Sequence, residues 1–155
     1  MAAEIFVKIA DIPGESADAQ HRGEIEVLSY AWGMAHPTSA ASGGAATGKV
    51  TFHDLSFTHH IDKASPKLME ACARNRRLPE VTISHRRAAG QQLDFLTLKL
   101  TNAVVTSIST GDTAGGGTES VTLAFAKVDF SYKPQKPDGS LDTAVTFLFD
   151  TTTHA

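Results

Sequence analysis

Residues 43–51 read GGAATGKVT, and Gly43, Gly48 and Lys49 fall at the spacing of a phosphate-cradling loop. Two features argue against nucleotide binding. Val50 stands where the magnesium-binding hydroxyl belongs, and Thr51 comes one place late. The residues that follow, VTFHDLSFT, alternate apolar and polar side chains as a strand does. A phosphate loop instead opens a helix whose N-terminus faces the phosphates. What remains is a Gly/Ala/Ser loop, and a loop of about a dozen residues in a folded domain usually has a task.

The other chemistry-bearing stretches fare no better. HDLSFTHHID (53–62) gathers His53, His59, His60, Asp54 and Asp62. On one strand His53 and His59 would stand roughly 20 Å apart, too far to share an ion. His60 and Asp62 alone would leave a metal underheld. Gly14-Glu15-Ser16 lacks the second glycine of a nucleophile elbow, because Asp18 occupies that place. Cys72, the one cysteine, falls beside Leu68 and Met69 on an apolar helix face and reads as a small buried hydrophobe. The expectation is no enzyme, no catalytic residue, no metal and no cofactor.

The elements that would position these residues are mostly strands. Period-two patterning marks 4–10, 23–33, 48–58, 80–87, 92–101, 103–110, 119–132 and 143–149, separated by Pro13-Gly14, the 39–48 run, Gly90, 111–117 and 134–139. SPKLMEACARNRR carries the one helical signature, with Ser65 as N-cap, Pro66 at the first helical position and Arg74, Arg76 and Arg77 at the far end. Leu68, Met69, Cys72 and Ala73 make its apolar stripe. Three strands change their apolar face partway: after Val27, after Phe95 and after Phe125. Such a strand either bulges and turns a barrel corner or is covered on both sides, and the second case implies a partner. The fold class is therefore mainly β, a two-sheet barrel or sandwich with one flanking α-helix at about 65–75, in a single domain spanning 1–155.

Bulk properties narrow the function. The 155 residues carry a net charge of −3, with 41% hydrophobic and 20% charged residues. That balance argues against nucleic acid or an anionic membrane as partner. No apolar run reaches even ten residues, so no membrane span is expected. MAAEIFVKIADIPGES has neither a basic start nor a long apolar stretch, so a cytoplasmic origin without a cleavable signal peptide is expected. The charges are segregated. Arg74, Arg76, Arg77, Arg86 and Arg87 lie close together, while Glu4, Asp11, Glu15, Asp18, Glu24 and Glu26 crowd the first strands. They are either two solvated faces or the complementary edges of a self-assembling subunit.

Read in order, IFVKIADIPGES, GEIEVLSYAWG, GKVTFHDLSFTHHIDKASPKLMEACA, LTNAVVTSISTG, ESVTLAFAKVDFSY and KPQKPDG resemble the Hcp (haemolysin-coregulated protein) family over about residues 4–140. The resemblance implies a structural subunit of the type VI secretion inner tube, related to phage tail tubes. It forms hexameric rings that stack, are expelled and carry effector cargo in the lumen. The implied partners are further copies of itself, the spike and sheath components, and effector proteins. Within that picture Ser29 and Ala31, the small face of EVLSYAWG, are candidates for the lumen. The loop Thr38, Ser39, Ala40, Ala41, Ser42, Gly43, Gly44, Ala45, Ala46 and Thr47 is the candidate ring-stacking segment. Arg74, Arg76, Arg77, Arg86, Arg87, Glu24 and Glu26 are candidate subunit-interface charges. The alternative is a small β-sandwich binding module, for carbohydrate for instance, that forms no ring.

Overall fold

The computed structural model describes residues 4–39, 45–46, 49–87, 93–113 and 116–155. Its strands are β1 (Ile5–Ile9), β2 (Ile25–Val27), β3 (Ser29–Ala35), β4 (Thr38–Ser39), β5 (Ala45–Ala46), β6 (Thr51–His60), β7 (Arg77–Arg86), β8 (Asp94–Thr113), β9 (Gly116–Ala124), β10 (Lys127–Tyr132) and β11 (Val145–Asp150). A helix, α1 (Ser65–Ala73), lies between β6 and β7. All named pairings are antiparallel.

The organising element is β8, where the sequence pattern suggests two strands. Its first half pairs with β7 on one side and β10 on the other, and its second half pairs with β9. One layer therefore runs β2-β1-β7-β8-β10-β11 and the other β8-β9-β6-β3, as two halves of one folded sheet. Asn102, in the left-handed region at φ 52°, sits between the halves. Asparagine tolerates that conformation better than most side chains. The sheet does not close: among the described residues β3 pairs with β6 and β11 with β10, each on one side only.

The changes of apolar face fall where the chain bends. Leu28 separates β2 from β3, and Phe125-Ala126 separates β9 from β10. Within β8 the register against β7 slips by one residue at Phe95, since His85 faces Leu96 while Arg86 faces Asp94. One inserted residue reverses every later side chain, which is how one strand presents apolar groups to two faces. Between the layers pack Val7, Ile25, Phe57, Ile83, Leu98 and Val121, all at most 1% exposed. Toward the open seam lies an aromatic cluster, with Phe52 and Phe149 centroids 5.2 Å apart and Trp32 6.1 Å from Phe130.

The helix differs from expectation at both ends. Ala64 is the N-cap, and the Ser65 hydroxyl accepts from the Asp62 N–H instead of capping the first turn. At the other end Asn75 turns left-handed at φ 49°, Arg76 N–H donates to Ala71 O at 2.9 Å, and Asn75 N–H donates to Cys72 O at 3.2 Å. This closing motif ends the helix at Ala73, ahead of Arg76 and Arg77. Of the expected stripe Leu68 is buried and Cys72 is half-buried against the core, but Met69 and Ala73 are exposed, and Ser65 and Ala71 are buried instead. Met69 is 40% exposed.

Arg86 also corrects an expectation. It is 3% exposed inside its own chain and donates to Asp18 at 2.6 Å, with its guanidinium 5.0 Å from the Phe6 ring centre. It therefore tethers the 13–24 loop to β7 and offers no surface charge. The Arg86 hydrogen bond holds the Asp18 carboxyl below its ordinary value of 3.8. A carboxylate with a lowered folded-state pKa stabilises the fold fully above that ordinary value, and less as pH falls toward the lowered one. Arg86→Met is expected to lower the melting temperature at neutral pH and to flatten its decline as pH falls below the ordinary carboxylate value. An unchanged acid profile would place the loop tether elsewhere.

Candidate functional site

Two neighbouring rows on the outward face of the second layer share one chemistry. Side chains alternate across a strand, so neighbours in register on one face form rows. Ala31 pairs with Ser56, Ser56 with Thr122, and Thr122 with Ser107. In the next row Ser29 pairs with Thr58, Thr58 with Ser120, and Ser120 with Ser109. All eight are Ser, Thr or Ala, none is charged, and Ser29, Ala31, Ser107, Ser109 and Ser120 are exposed. Ser56 Oγ and Thr122 Oγ1 lie 3.1 Å apart, tying β6 to β9 across the face. The opposite faces of the same strands supply Leu55, Phe57, Val121, Leu123 and Val105 to the core. The result is a hydroxyl-rich patch four strands wide, flanked on β6 by exposed Asp54, which accepts from the Thr106 hydroxyl, and by exposed His60.

Of its eight residues only Ser29 and Ala31 were predicted from the sequence. The other six carry a signal visible in hindsight, small hydroxyl residues at period two in LSFT, TSIST and ESVT. Register is what joins them.

The remaining candidates are dispersed. Thr38 pairs with Ala46 and Ser39 with Ala45, so the stacking loop begins and ends in a short ladder. Ala40, Ala41, Ser42, Gly43, Gly44 and Thr47 lie outside the described residues. Arg74, Arg76 and Arg77 are exposed around the end of α1, with Arg74 Nε 3.4 Å from Glu70. Arg87 is half-buried, its guanidinium 4.6 Å from the Phe95 ring centre. Glu24 accepts from His21 at 3.1 Å, whereas Glu26 is exposed beside Glu15, His60 and Asp62.

The histidine-rich stretch resolves into structure. His59 Nε2 donates to Glu119 at 2.8 Å, both side chains are fully buried, and His59 Nδ1 is 3.9 Å from Asp62. His53 and His60 are exposed on the same strand. Among the described residues no group of three His, Cys, Asp or Glu side chains could hold a metal ion. Burial raises the Asp62 pKa above its ordinary value.

The G-E-S stretch is an anchor for the 13–24 loop. Gly14 N–H donates to Gly23 O at 2.8 Å and Ser16 N–H to Glu24 O at 3.0 Å. The Glu15 carboxylate accepts from Lys63 N–H at 2.7 Å, and the Ser16 hydroxyl accepts from Asp18 N–H. Buried His21 stacks on Phe6 at 4.4 Å and bridges Glu24 and Asp94.

Comparison with known proteins decides the family. The chain matches the family described as "Type VI secretion system effector, Hcp" over residues 6–132. It is 44% identical over 146 residues to "Protein hcp1" of Pseudomonas aeruginosa, covering 92% of this chain and 90% of that one. This chain belongs to the Hcp family. Among solved Hcp structures it is similar to Hcp1 from Salmonella typhimurium, with a TM-score of 0.81, 31% identity and coverage of 100% and 99%. A structure described as a type six secretion system protein aligns with a TM-score of 0.92, at 28% identity and 99% coverage of both chains. A type VI secretion system effector from Yersinia pestis aligns at 0.79, with 30% identity over 94% of this chain and 98% of that one. As an Hcp protein the chain is a structural subunit of the type VI secretion tube, in a secreted family that builds hexameric rings. The carbohydrate-module alternative finds no support among these relatives.

Proposed function

We propose that six copies of this chain close into a ring whose inner wall is the hydroxyl face built on Ser29, Ala31, Ser56, Thr58, Ser107, Ser109, Ser120 and Thr122. The two in-register rows of small neutral side chains carry this reading. A pore that passes protein must neither grip cargo with large apolar groups nor trap it with fixed charge. Six patches of four strands make a wall of about 24 strands. At about 4.8 Å per strand its circumference is roughly 115 Å and its diameter roughly 37 Å through the backbone, before strand tilt widens it.

The chain acts as one domain over 1–155. Its partners are its own copies, effector cargo, and spike and sheath components, and its work is passive transport without catalysis. It is made in the bacterial cytoplasm and secreted. Exposed Arg74, Arg76 and Arg77 against Glu26 supply the two different patches that a head-to-tail ring requires. The 38–47 loop, rooted in the β4–β5 ladder, reaches the next ring.

Light scattering should give about 98 kDa, six chains of 16.4 kDa, and electron micrographs should show rings with a pore somewhat narrower than the calculated wall. A stable monomer at high concentration would sink the reading. Ala31→Arg is expected to leave ring mass unchanged and to abolish cargo co-purification. Dissolved rings would mean the face packs against a neighbour. Deleting 38–46 should leave single rings intact while filament length falls, and unchanged filaments would remove the loop from stacking.

A further inference from the structure

Where the folded sheet fails to close, a slot of about 500 Å³ opens between the unpaired sides of β3 and β11. Its walls are Met34, Val50, Phe52, Phe147 and Phe149, and its polar contributions come from His36, Lys49 and His154. The aromatic part is ordered. Phe147 and Phe149 stack with centroids 6.2 Å apart, Phe149 meets Phe52 at 5.2 Å, and His154 stands edge-on to Phe149 at 6.2 Å.

A volume in this range, an apolar lining and a few polar groups are the marks of a small-molecule site. The charges are one-sided. Lys49 supplies one permanent positive charge, the two imidazoles supply N–H donors, and no aspartate or glutamate is among the described residues that line the slot. One fixed cation suits a monovalent head, and the aromatic walls suit a tail with neither donors nor acceptors.

We propose that this slot binds a free single-chain carboxylate, its alkyl tail among Phe52, Phe147 and Phe149 and its carboxylate at Lys49. Such a ligand would occupy the gap left by the unclosed sheet. This site is separate from the lumen face, and the inference holds for the chain whether or not rings form.

The test is calorimetric titration of the full-length protein with laurate, kept below its micelle concentration, with dodecylammonium and dodecanol as matched tails. Saturation at one laurate per chain is expected, with dodecylammonium at least tenfold weaker because its head meets Lys49. Octanoate should bind more weakly than laurate by about tenfold for every two methylenes removed. Lys49→Glu should weaken laurate about tenfold and leave dodecanol unchanged, while Phe147→Ser should weaken both. Phe147 is 37% exposed, and unaltered melting temperatures of the two variants would show intact folds. Failure to saturate, equal affinity for dodecylammonium, or indifference to Lys49→Glu would each overturn the proposal. So would loss of laurate binding when the protein is concentrated into rings, which would assign the slot to a second copy of the chain.

Discussion

Replacing Glu119 with alanine is expected to cost about 3–5 kcal/mol, among the largest losses available to one substitution in this chain. Glu119 and His59 face each other in register on β9 and β6, both 0% exposed at the side chain and 2.8 Å apart. A buried polar pair gains little over a well-packed apolar pair, but removing one member strands the other without water. His59 would then sit beside Phe57 and Asp62 with its strongest hydrogen bond gone. Urea unfolding at fixed protein concentration should show a lower midpoint with little change in slope. The double change His59→Leu, Glu119→Leu should recover much of the loss, since it leaves no orphan. A single-mutant loss under about 1 kcal/mol, or a double mutant worse than either single, would mean the pair is not acting as a buried unit.

Gly14→Ala is expected to cost about 3–4 kcal/mol, and the cause is steric rather than conformational. A Cβ on Gly14 would lie 2.5 Å from Glu24 O and 2.6 Å from Ile25 Cα. Both are backbone atoms, and Ile25 is held in the ladder against Val7, so neither can rotate aside. The 13–24 loop would have to lift, giving up the Gly14–Gly23 and Ser16–Glu24 hydrogen bonds and loosening the His21 and Arg86 contacts. The melting temperature should fall by roughly 10 °C, with new protease cleavage between 13 and 24. Gly111→Ala is the control, because a Cβ there meets nothing within 4 Å and its φ is not in the left-handed region. Equal effects from the two changes would show that helical or strand propensity, not the close approach, governs both.

These two positions mark how far the residues speak for themselves. The spacing of GES is visible, and its resemblance to the Hcp family is specific. Why glycine stands there is not visible, because the atoms it would strike belong to Glu24 and Ile25, ten residues further on. In the sequence His59 is one of several histidines whose spacing rules out a shared ion, and HDLSFTHHID says nothing of what it pairs with. Its partner, Glu119, lies sixty residues away and is brought close by the β6–β9 register. Arg86 reads as one of a basic cluster until the fold buries it against Asp18.

Legible in the residues alone are the β-rich class, the single helical stretch in the described chain, the positions where strands change face, and the family. Those features are local or nearly so: alternation, proline and glycine punctuation, and ordered motifs survive in one dimension. The fold was needed to show that the strands expected at 92–101 and 103–110 join in one, Asp94–Thr113, across two layers, that α1 ends at Ala73, and that among the described residues the sheet stays open at β3 and β11. It also brings together the residues of the proposed lumen face. Ser29 and Ala31 are two small residues on one strand until antiparallel register sets them beside six more from three other strands. Each pairing joins residues far apart in sequence, and its energy depends on hydrogen bonds and packing that no single segment contains.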